Sequence, residues 1–170
     1  MSVIIQGDQI RSLLLGIRVT KATFTLPQTA STAMFTVTGG KVMITSVTGE
    51  VTVVLGATAT NLNLTYTPSG GAAADLCAAT VCTSDAVGTL YGITSGVATD
   101  LLCVQSVSSI GGTPVAASEV PNVTYVQALW RPLIVRAGAL NLKASASNTG
   151  ETKWVMTYIP IDDGAAVAAA

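Results

Sequence analysis

Nine carboxylates, eight basic side chains and three thiols are the reactive groups of this chain, and histidine is absent. Without an imidazole there is no Ser/His/Asp or Cys/His relay and no His-bearing zinc site. The carboxylates are Asp8, Glu50, Asp75, Asp85, Asp100, Glu119, Glu151, Asp162 and Asp163, and only the last two adjoin. A glycosidase sets two carboxylates across a cleft, and no local spacing provides such a pair, so no catalytic residue is expected. Asp162, Asp163 and Gly164 offer hard oxygen ligands, but the alternating acidic loop of a calcium site is missing. A solvated or capping pair is the expectation, with no metal and no cofactor. Cys77 and Cys82 are separated by four residues in LCAATVC, Cys103 stands alone, and no second knuckle completes a zinc set. All three read as small buried hydrophobes. Gly39-Gly40-Lys41 has the ending of a phosphate loop without its earlier glycine, and a hairpin turn explains it better. Asn63-Leu64-Thr65 and Asn122-Val123-Thr124 match glycosylation acceptors only formally.

Charged residues make up 10% of the chain, against roughly 25% in ordinary globular sequences. Eight scattered basic residues cannot neutralise a phosphate backbone, so no direct nucleic-acid binding is expected. The longest charge-free stretch, Val51 to Ala74, is broken by Gly56, Asn61, Asn63 and Pro68. No segment therefore supplies the ~20 apolar residues of a spanning helix. The N-terminus lacks a leading basic region, which makes it a poor signal peptide and points to folding in the cytoplasm. A formal charge of -1 and a sparsely charged surface favour association over a free monomer.

The elements that must carry these residues read as strands between glycine turns. Thr and Ala occur 24 times each and Val 20 times, a composition suited to closely packed sheets. Ile17 to Leu26 forms a strand ending at Pro27. Ala33 to Thr38 and Lys41 to Val47 flank Gly39-Gly40 as a tight hairpin. Gly49-Glu50 is expected to turn the chain into Val51 to Leu55. Asn61 to Thr67 alternates cleanly, with Leu62, Leu64 and Tyr66 on one face. Ala72 to Thr83 leans towards a strand, and Gly88 to Ser95 and Leu101 to Val107 are β-like, followed by a loop to Pro121. Val123 to Trp130 leads to Arg131-Pro132 and the short run LIVR. Ala139 to Ser147 and Thr152 to Ile159 are expected to pair. Leu140, Leu142 and Ala144 then lie opposite Trp154, Met156 and Tyr158.

About ten short strands and little helix give an all-β fold, jelly-roll-like or a two-sheet β-sandwich. The division is an N-terminal arm over residues 1–16, a β-sandwich domain over 17–164 and a short tail over 165–170. In the arm, Ile10, Leu13 and Leu14 have helical spacing closed by Gly16, with a first edge strand as the equal alternative. The arm is expected to lie on a neighbouring subunit. Tyr125, Trp130 and Arg131 are either an interface anchor or the edge of the core. Together with Ile10, Leu13 and Leu14 they form the candidate interface set.

The stretch GALNLKASASNTGETKWVMTYIPIDDGAAVAAA, residues 138–170, resembles the ends of small β-rich structural proteins of tailed bacteriophages. Leu142, Ala144, Ala146, Ser147, Asn148, Thr149 and Gly150 match one strand-and-turn pattern. Lys153, Trp154, Tyr158, Pro160, Asp162 and Gly164 match the next. The resemblance implies a virion structural protein, foremost a capsid decoration or cement protein that clamps the head. Its partners would be itself, as a trimer, and the major capsid protein, with no membrane and no small-molecule substrate. The alternatives are a tail, fibre or baseplate component, and a free ligand- or carbohydrate-binding jelly roll. Localisation in the virion, after assembly in the host cytoplasm, follows from the first reading.

Overall fold

The computed structural model describes residues 7–77, 79–93, 102–105 and 133–170. Among them stand one helix, α1 (Gly7–Leu15), and twelve strands in two antiparallel sheets. The first sheet contains β1 (Ile17–Thr25), β3 (Val42–Val53), β7 (Leu90–Ile93), β8 (Leu102–Gln105), β9 (Leu133–Val135) and β11 (Glu151–Pro160). Its order is β1-β11-β3-β7-β8, with β9 also on β3. The second contains β2 (Ser31–Thr38), β4 (Asn61–Pro68), β5 (Ala74–Asp75), β6 (Thr80–Val81), β10 (Gly138–Ala144) and β12 (Ala166–Ala169). Its order is β12-β2-β10-β4-β5, with β6 also on β4. The all-β expectation holds, and the two sheets share one core as in a β-sandwich.

That core follows from period-two alternation in each sheet. Trp154, Met156 and Tyr158 of β11 point inward with Ile44, Val47 and Val51 of β3. They meet Phe35 and Val37 of β2, Leu62 and Leu64 of β4, and Leu140 and Leu142 of β10. Burying each large side chain contributes about 1.5–3 kcal/mol. The single face expected for Leu62, Leu64 and Tyr66 is the inner one, and all three are buried.

Two expected hairpins do not form. Gly39-Gly40 joins β2 to β3, but β2 pairs with β10 and β12 whereas β3 pairs with β11, β7 and β9. The turn is a crossover between sheets. Its glycines are still required, because Gly40 lies at φ +149° and an added Cβ would stand 2.7 Å from Asp162 Cβ. Likewise β10 and β11 lie in different sheets, so Leu140 and Leu142 face Trp154 and Met156 across the core instead of across a ladder. The turn expected at Gly49-Glu50 is also absent, since β3 runs through it as one strand of 12 residues. The cause is Trp154, whose indole occupies the space above Gly49. Among the described residues of 72–83, the strands are the two-residue pieces β5 and β6 in place of the single strand expected. Ala166–Ala169, expected only as part of a short tail outside the sandwich domain, pairs with β2 as an edge strand.

On one side of the molecule the sheet edges β1 and β12 lie together, tied by the Lys21 ammonium donating to the Ala170 carbonyl oxygen. The register of β1 slips between Lys21 and Phe24. A lysine and a bulge on an edge strand both oppose uncontrolled edge pairing.

Candidate interaction surface

The residues expected to form an interface begin with α1. Its sequence places apolar side chains at helical spacing, and Gly16 closes it with a 3.0 Å bond from its N–H to the Ser12 carbonyl. Gly16 sits at φ +90°, and a Cβ there would stand 2.6 Å from the Tyr158 carbonyl oxygen. A larger residue cannot pass this close to β11 in this conformation. The Thr45 hydroxyl donates to the Leu15 carbonyl at 3.0 Å and lies 2.7 Å from the Thr157 hydroxyl. The helix therefore leaves the outer face of the first sheet at a fixed point.

Of the six residues expected at an interface, Ile10 and Leu14 lie on this helix with exposures of 47% and 76%. Leu13 belongs to the same helix, but its side chain is outside the described set. Tyr125, Trp130 and Arg131 lie outside the described residues. Beside α1 the structure brings together residues that sequence reasoning missed. Ile159 of β11 pairs with Met43 of β3, and Met43 pairs with Ile134 of β9. Their strand neighbours Tyr158, Val42, Ile44 and Val135 are buried, so this cross-strand row lies on the outer face. Ile134 is 57% exposed. Alternation alone marks each residue as outward-facing, but only the strand register makes them a row.

A second concavity lies over the ends of β2, β4 and β10. It is a shallow groove of about 830 Å³, lined by Thr36, Thr38, Thr67, Ser69, small residues and Pro68. Among the described residues, no charged or aromatic side chain lines it. It offers hydroxyls and backbone groups to a ligand, without a stacking platform or an ionic anchor.

The titratable groups are dispersed. Asp162 accepts from the Lys41 backbone N–H at 2.9 Å and lies 3.8 Å from its ammonium. It is the capping carboxylate expected from its place in a turn. Asp75 meets Lys143 at 3.8 Å, and Glu50 stands opposite Lys153 in the ladder. The Tyr91 hydroxyl donates to Asp85 Oδ2 at 2.6 Å. Burial raises the Asp85 carboxyl above the usual aspartate value, and the tyrosine bond opposes that shift. Tyr91 is itself pushed far up, first by burial and then by Asp85. Cys77 and Cys82 are buried free thiols, as expected for small hydrophobes. Cys77 accepts from the Leu64 N–H at 3.0 Å, and Cys82 donates to the Thr60 carbonyl at 3.3 Å. Burial, helped by the Asp85 charge, pushes the Cys82 thiol up to about 12. Among the described residues no group of three or more His, Cys, Asp or Glu side chains converges as a metal site. No described helix is long and apolar enough to cross a membrane.

No protein-family model, curated protein or solved structure matches the chain.

Proposed function

We propose that the chain is a jelly roll that serves as a virion structural protein, foremost as a capsid decoration or cement protein. The observation that carries this reading is the strand order. From the N-terminus, β1 to β4 alternate between the two sheets, and β9 to β12 alternate again. The cores of the sheets run β1-β11-β3-β7 and β2-β10-β4-β5, each interleaving early and late strands. Such interleaving is what two nested Greek keys would give, the arrangement that recurs in viral capsid domains and lectins, and it supports this reading. A scarcely charged surface and exposed apolar side chains on α1 support a role in which neighbours cover the protein. Its work would be mechanical and non-enzymatic, holding adjacent capsid subunits together through several weak contacts made at once. Its partners would be further copies of itself and the major capsid protein, within the virion.

The groove does not favour the ligand-binding alternative, because among the described residues no aromatic side chain lines it. The test is co-sedimentation of the purified protein with empty capsids from which it has been stripped. Saturable binding that raises the temperature of capsid disruption is the expected result. Failure to bind, or assembly into a six-membered tube in electron micrographs, would move the chain to the tail or out of the virion.

A further inference from the structure

We draw no further inference here: the strongest candidate, the shallow groove over the ends of β2, β4 and β10, has no buried polar side chain in its lining among the described residues, and nothing in the structure shows what occupies it.

Discussion

Trp154 and Tyr91 stack above Gly49, with ring centroids 6.0 Å apart and planes within 9° of parallel. The three residues form one cross-strand row: Trp154 on β11 pairs with Gly49 on β3, and Gly49 pairs with Tyr91 on β7. The two rings reach towards each other from the flanking strands across the glycine, which has no side chain to keep them apart. A Cβ on Gly49 would stand 2.7 Å from the indole carbons.

Gly49→Ala should therefore destabilise the fold by about 1–3 kcal/mol, the usual cost of overpacking a filled core. Trp154→Ala should cost more, about 3–5 kcal/mol. Urea unfolding followed by circular dichroism measures both. A Gly49→Ala protein as stable as the native one would mean that the rings move aside freely.

Asp85 should make stability depend on pH. Its folded carboxyl titrates above the ordinary value of 3.8, so the folded state holds the proton more tightly than the unfolded chain. That contribution is complete below the unfolded value and is lost as pH rises through the folded one. Asp85→Asn keeps an acceptor for the Tyr91 hydroxyl and removes the charge. Its melting temperature should lose that part of the pH dependence, as read from thermal melts between the usual aspartate range and neutrality. A variant with the native profile would show that Asp85 does not carry the effect.

The buried thiols should resist alkylation. In a Cys103→Ser background, Cys77 and Cys82 should react with iodoacetamide only as fast as the protein opens, because burial raises both thiols and leaves little thiolate. Mass spectrometry after labelling with and without urea measures this. Rapid labelling of the folded protein would contradict the burial of both side chains.

Asn148 should be hard to replace. Its amide donates to the Gly56 carbonyl at 3.2 Å, the Thr58 carbonyl at 3.1 Å and the Thr60 hydroxyl at 3.0 Å. Gln28 donates in turn to the Asn148 main-chain carbonyl at 2.8 Å. Asn148→Ala strips donors from a buried site and should cost about 1–3 kcal/mol. Asn148→Asp puts acceptors against acceptors and should be worse. Denaturant titration of the pair tests the order, and an aspartate variant as stable as the alanine one would refute it.

Composition and alternation were enough to determine the all-β class, the inward faces of β4 and β11, and the burial of two cysteines, and they left the helix closed by Gly16 as one of two equal readings of the arm. Each depends on residues within a few positions of one another, where period and turn chemistry act directly. Pairing was not legible. Gly39-Gly40 looks like a hairpin turn because a tight turn and a sheet crossover need the same positive φ. The difference lies in distant partners, β10 and β12 for β2, and β11 for β3. Gly49 looks like a turn for a similar reason, since the ring that requires a glycine there belongs to a residue about a hundred positions away. The candidate interface divides along the same line. The sequence alone marks Ile10 and Leu14 by helical spacing, whereas Ile159, Met43 and Ile134 become one surface only through the register of three strands. Local chemistry is written in neighbouring residues, but a sandwich wound between two sheets decides its contacts over long loops, where only the assembled core selects the partner.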